Sequence, residues 1–164
     1  MGRRSDAGRA QWQRVLVQRA VENAFIVMVA PSASYTDVDV AVQCTPMAGR
    51  DDASGGIVVR VTEGLASVVR ASALEDHVQL DASDRGRHQW ATARGPPPAL
   101  GQRQTIRVVA VREPIQASRN DVRLLEHWDA RSGAGPVGLW TKADAVTAFD
   151  DRVIRGVPGS AEAP

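Results

Sequence analysis

The strongest constraint in this sequence lies between residues 36 and 44, where large apolar side chains recur at every second position. Val38, Val40, Val42 and Cys44 fall on one side of an extended chain, and Asp37, Asp39, Ala41 and Gln43 on the other. A period of two with acidic residues on one side describes a strand with one face in a core and the other in solvent. Pro46 and the turn-forming run 48–55 are expected to end it, because proline cannot donate a ladder hydrogen bond.

Similar segments follow at short intervals. Residues 56–62 read Gly-Ile-Val-Val-Arg-Val-Thr, and their β-branched side chains favour a pleated surface. Further strands are expected at 66–71, 78–81, 88–92, 105–112, 122–128, 137–140 and 146–154, separated by Gly, Pro, Asp and Ser turns. Pro96, Pro97 and Pro98 make 94–101 a loop. Residues 11–28 fit either a helix lined by Val15, Leu16, Arg19, Val21 and Phe25 or extended structure. Short strands without helical crossovers predict an all-β fold, an antiparallel β-sandwich or barrel. The expected organisation is an N-terminal extension with a possible first strand over 1–34, a sandwich core over 35–155 and a tail over 156–164.

Composition narrows the function. A chain of 164 residues is long enough for one domain with its own core. Its formal charge is +1, and 19 of its 20 basic residues are arginines scattered from Arg3 to Arg155. Nucleic-acid binding calls for a clustered basic surface instead. Cys44 is the single cysteine, which excludes an internal disulfide and a thiolate metal cluster and suits a small buried hydrophobe. No run approaches the length of a membrane-spanning helix. The apolar stretch 24–31 comes late and follows Arg19 and Glu22, so a cytoplasmic location is expected; a misplaced start would make the chain secreted or periplasmic. His77, His88 and His127 lack zinc spacing, and no phosphate loop, serine elbow or dinucleotide fingerprint is present, so no cofactor is expected.

Near the C-terminus the run Gly135-Pro136-Val137-Gly138-Leu139-Trp140-Thr141-Lys142-Ala143-Asp144-Ala145-Val146-Thr147-Ala148-Phe149-Asp150-Asp151 is more particular than a generic strand pair. It resembles the closing strands of the concanavalin A-like, laminin-G-like sandwich family of 3-keto-disaccharide hydrolases. In the expected order, Tyr35-Thr36-Asp37-Val38-Asp39-Val40 resembles the family's early strand. Ser54-Gly55-Gly56-Ile57-Val58-Val59-Arg60 resembles its Gly-Gly-apolar-x-Arg strand, and Arg70-Ala71-Ser72-Ala73-Leu74-Glu75-Asp76-His77-Val78 the segment after it. The resemblance implies a concanavalin A-like jelly roll and a carbohydrate or keto-sugar ligand. The departures make the resemblance that of a diverged member. Gly64-Leu65-Ala66-Ser67 replaces an Asn-Tyr-Tyr-like patch, Gln102-Arg103-Gln104 stands where a tryptophan is usual, and no Phe-Asn-Gly-Lys-like turn is seen between Arg112 and Trp128.

Within that frame the candidate catalytic residues are Glu75, His77 and Asp144. Glycosidic cleavage uses two carboxyls about 5–9.5 Å apart. Glu75 would meet Asp144 across the fold, and His77 would shuttle a proton near neutral pH. The plainer reading of Glu75-Asp76-His77 is a turn with solvated charges. Asp150 and Asp151 point to opposite faces of a strand and form no dyad. The substrate-binding candidates are Trp140, Trp128, Lys142, Arg60 and Arg70. Trp140 is either a packing residue or a platform for the CH-rich face of a sugar. Lys142, the single lysine, either donates to a carbonyl or hydroxyl or ends a strand in solvent. Arg60 and Arg70 bind substrate or bridge acids at a sheet edge. Three functions follow: carbohydrate recognition without turnover, an active 3-keto-disaccharide hydrolase or lyase, and a structural or protein-interaction sandwich. Every functional reading assumes that the closing Gly-Leu-Trp stretch forms neighbouring strands of the sandwich and brings its polar end beside the loop around Glu75.

Overall fold

The computed structural model describes residues 16–18, 25–29, 34–50, 53–62, 65–72, 77–84, 87–94, 99–129, 134–142 and 145–156; side chains are described over 34–50, 53, 55–60, 93–94, 99–129, 134–141 and 145–156. Among the described residues lie twelve strands: β1 (Leu16–Gln18), β2 (Phe25–Val29), β3 (Val38–Ala48), β4 (Ser54–Thr62), β5 (Leu65–Ser72), β6 (His77–Asp84), β7 (Arg87–Arg94), β8 (Gln104–Ala110), β9 (Pro114–Arg119), β10 (Val122–Trp128), β11 (Gly138–Lys142) and β12 (Val146–Gly156). One six-stranded sheet runs β1-β12-β3-β8-β9-β10 and the other β2-β11-β4-β5-β6-β7. Their ladders are antiparallel. The expected sandwich is the fold observed, and it draws in two strands from before residue 35.

The alternation that predicted β3 builds the core. Val38, Val40, Val42 and Cys44 are buried, while Asp39, Ala41 and Gln43 between them are only partly so. Ile106, Val108 and Ala110 of β8, Ile115 and Ala117 of β9, Leu125 of β10 and Phe149 of β12 extend this layer. Ile57 and Val59 of β4 with Leu139 of β11 belong to the facing one. Each fully buried valine or isoleucine side chain stabilises the fold by about 1.5–3 kcal/mol. Gly55 faces the other layer at close range: a Cβ there would lie 2.8 Å from Thr147 Cγ2.

Four details go beyond or against the sequence reading. Pro46 does not end its strand, because β3 runs on to Ala48. The β3–β8 ladder stops at Cys44–Gln104, and the Pro46 carbonyl accepts the Gly101 N–H at 2.7 Å on that side. The N–H and C=O of a strand residue face the same neighbour, so the donor that proline lacks falls where no strand needs it. Second, β9 escaped prediction, since Ile115 and Ala117 are its only buried apolar residues. Third, the connection between Arg112 and Trp128, which lacks a Phe-Asn-Gly-Lys-like motif, turns instead at Asn120 and Asp121. Asn120 and Asp121, with φ of 49° and 65°, both occupy the left-handed region, as a two-residue type I′ hairpin requires. Asn120 donates its N–H to the Thr105 carbonyl and accepts the Thr105 N–H on Oδ1, each at 2.9 Å. Fourth, the regular alternation assumed at Asp150 and Asp151 is broken. Asp150 pairs with Gln43 and Val153 with Ala41, so Asp151 and Arg152 together oppose Val42 in a bulge. Asp151 has φ 48° and donates its N–H to Asp150 Oδ1 at 2.8 Å.

Candidate functional site

Strand register gathers several candidates on one face. Leu139 pairs with Ile57, and both belong to the core. Their neighbours Trp140 and Gly56 also pair, and therefore lie on the opposite, outer face of the second sheet. Gly56 pairs with Arg70, Arg70 with Gln79, and Gln79 with Thr92. One row thus crosses β11, β4, β5, β6 and β7, spanning about 19 Å at the usual strand spacing. A flanking row is Gly138, Val58, Val68, Asp81 and Gln89. On the other flank Ser54 pairs with Ser72 and His77 with Arg94. Lys142, two residues beyond Trp140, falls on the same face. Ala93 packs against the core, which fixes Arg94 and Thr92 on the outer side.

This face has two characters. Around β11 and β4 it is apolar and covered: Trp140 is 3% and Val58 1% exposed, although neither belongs to the core cluster. Across β5, β6 and β7 the face positions carry Arg70, His77, Gln79, Asp81, Thr92 and Arg94, of which Arg94 is exposed.

Of the residues proposed from sequence, Trp140, Arg70, His77 and Lys142 share this face. Trp140 is too buried to offer an open ring. Glu75 and Asp144 lie outside the described residues. The flanking strands bring Ser72, His77 and Lys142 to the same end of the sheet, on β5, β6 and β11. Trp128 belongs elsewhere: it ends β10, the edge strand of the other sheet.

Arg60 is the clearest correction. It is 4% exposed with φ 54°, and its side chain runs into the end of the sandwich. Nε donates to the Thr36 carbonyl at 3.4 Å and Nη2 to the Arg112 carbonyl. The Asp37 carboxylate, itself buried, accepts the Arg112 N–H at 2.8 Å on Oδ1. Burial pulls the Arg60 guanidinium below its ordinary range, while Asp129 and then Asp37 favour its charge. A group enclosed this way ties β3, the β8–β9 turn and the exit of β10 together, and it presents nothing to a ligand. Sequence reasoning missed Gln79 and Thr92. The alternation of Val78 and Leu80 with Gln79 and Asp81 already put the two polar residues on one face; what it lacked was the register to β5 and β7.

No protein-family model matches the chain, and no curated protein matches it. Solved structures do. The carbohydrate-binding module CBM66 from Bacillus subtilis superposes with a TM-score of 0.75 at 17% identity, covering 82% of this chain and 84% of that one. Galectin LEC-6 from Caenorhabditis elegans gives 0.55 at 12% identity, covering 85% and 98%. A proposed glycosyl hydrolase from Parabacteroides distasonis gives 0.61 at 14%, covering 87% of each chain. At these identities the likeness is one of fold, a galectin-like antiparallel β-sandwich. The narrower resemblance to 3-keto-disaccharide hydrolases rests on the sequence motifs alone.

Proposed function

We propose that the chain is a carbohydrate-recognition sandwich whose ligand lies across β5, β6 and β7 on the outer face of the second sheet. The row Arg70–Gln79–Thr92, flanked by Asp81 with Gln89 and by His77 with Arg94, carries this reading. These residue types alternately donate to and accept from sugar hydroxyls. The fold is shared with a carbohydrate-binding module and with galectins, which supports the class of ligand. The test is calorimetry against a panel of soluble oligosaccharides. Arg70→Ala and Gln79→Ala are expected to weaken binding at least tenfold with unchanged melting temperatures. Binding that survives both substitutions, or a wild-type chain that binds no glycan, overturns the proposal.

Hydrolysis of a 3-keto-disaccharide is the second reading. It is supported by the shared sheet end from which the connections carrying Glu75 and Asp144 depart. Turnover of a 3-keto-disaccharide, abolished in both Glu75→Gln and Asp144→Asn, is its expected signature. A wild-type chain that binds this substrate without cleaving it leaves recognition alone.

A further inference from the structure

We propose that Trp128 is the platform of a second glycan-contact site, on the outer face of the first sheet and separate from the row on the second. His127 pairs with Ile115, a core residue, so its neighbour Trp128 lies on the side turned away from the core, opposite Pro114. Trp128 is 64% exposed, more than any other large apolar side chain among the described residues. Two residues back on the same face is Glu126, paired with Gln116. Gln116 donates Nε2–H to Glu126 Oε2 at 2.6 Å, and Arg123 Nη1 lies 3.8 Å from the same oxygen. The indole therefore stands roughly 7 Å from an amide–carboxylate–guanidinium group.

The surroundings indicate what the platform takes. The next exposed apolar side chain on β10, Val122, is six residues away, about 20 Å along the strand. A stable protein interface covers about 800 Å² on each partner and centres on a larger apolar patch. One aromatic face with two or three polar groups beside it matches a single sugar ring, whose CH-rich side rests on the indole while its hydroxyls reach the polar groups. Glu126 and Arg123 offset each other, so the site holds no surplus positive charge to select an acidic sugar. The occupant is a neutral glycan. This site depends on the other only in the class of ligand.

Affinity electrophoresis of the full chain in gels containing dextran, xylan, mixed-linkage β-glucan or galactomannan tests it. Trp128→Ala is expected to lose at least fivefold in affinity for one or more of these polymers, Trp128→Phe to keep part of it, and both to melt with the wild type. Retardation lost in Arg70→Ala but unchanged in Trp128→Ala overturns this site and leaves the first standing. A wild-type chain retarded by none of the four polymers overturns it. So does a change in molar mass in Trp128→Ala by light scattering, because the indole is then a protein contact.

Discussion

Trp140 stands directly across the β11–β4 ladder from Gly56, and Gly56 stands across from Arg70. The glycine leaves one strand position without a side chain between an indole and an arginine position, where the apolar half of the outer face gives way to the polar half. Because Trp140 is 3% exposed, its removal acts on the fold first. Trp140→Ala is expected to cost about 3–5 kcal/mol, the range for truncating a buried aromatic, and to shift the urea midpoint accordingly. Trp140→Phe, melting much nearer the wild type, is the variant that separates packing from any effect on glycan binding.

Arg60 closes the end of the sandwich by donating to the Thr36 and Arg112 carbonyls beside Asp37 and Asp129. Arg60→Met leaves buried carboxylates without their counter-charge. A loss of about 3 kcal/mol is expected in urea unfolding, with glycan affinity unchanged in the fraction that stays folded. Arg60→Lys should recover little, since one ammonium cannot reproduce the fork that reaches both carbonyls. Recovery to wild-type stability by lysine would show that charge alone matters here.

How far the sequence reaches depends on the kind of signal each element carries. Val38, Val40, Val42 and Cys44 announce β3 because the side-chain period of a strand is two and one face is dry. β9 is nearly silent, because Ile115 is its one large apolar residue and Ala117 is small. Pro46 misleads for a related reason: whether a proline ends a strand depends on which neighbour its nitrogen faces, and that is decided by where β8 begins. The outer-face row is a third case. Arg70, Gln79 and Thr92 are separated by turns, and only strand pairing sets them side by side. Arg60 was visible as part of a family-like motif, but its inward course follows from a left-handed backbone that no periodicity reports.

Gly55 faces Thr147, Phe149 and Cys44 across the core, all three nearly or fully buried. Gly55→Ala would bring a methyl to 2.8 Å from Thr147 Cγ2, and a side chain enclosed on every side has little room to swing away. Overpacking of this kind costs about 1–3 kcal/mol. A melting temperature equal to that of the wild type would mean that the two sheets separate more easily than their packing implies.

Cys44 lies in the same layer. Burial pushes its thiol up to about 12, against a smaller opposing effect of the Gln104 hydrogen bond. The thiolate is the reactive form, so the native chain should leave a disulfide reagent such as DTNB unchanged at about pH 8 and react at once in concentrated guanidinium. Prompt reaction of the native chain would show that this part of the core opens on the timescale of the assay.

On the outer face of the first sheet, Arg107 grips Asp39 with two hydrogen bonds, Nε to Oδ1 at 2.9 Å and Nη2 to Oδ2 at 2.6 Å. The Arg107 hydrogen bond holds the Asp39 carboxyl below the usual carboxylate range, against a smaller opposing effect of burial, and Asp39 in turn raises Arg107. A group whose folded value lies below its unfolded one adds stability above the unfolded value, about 3.9 for aspartate, and loses it as the pH falls through the folded value. Arg107 is half exposed, so solvent screens the pair and its contribution is at most about 1 kcal/mol. Asp39→Asn is therefore expected to unfold at slightly lower urea than the wild type at neutral pH, with the gap closing as the pH falls through the folded value. The same gap should narrow in molar salt. A gap that persists unchanged at acid pH would assign the loss to packing on β3 and not to the ion pair.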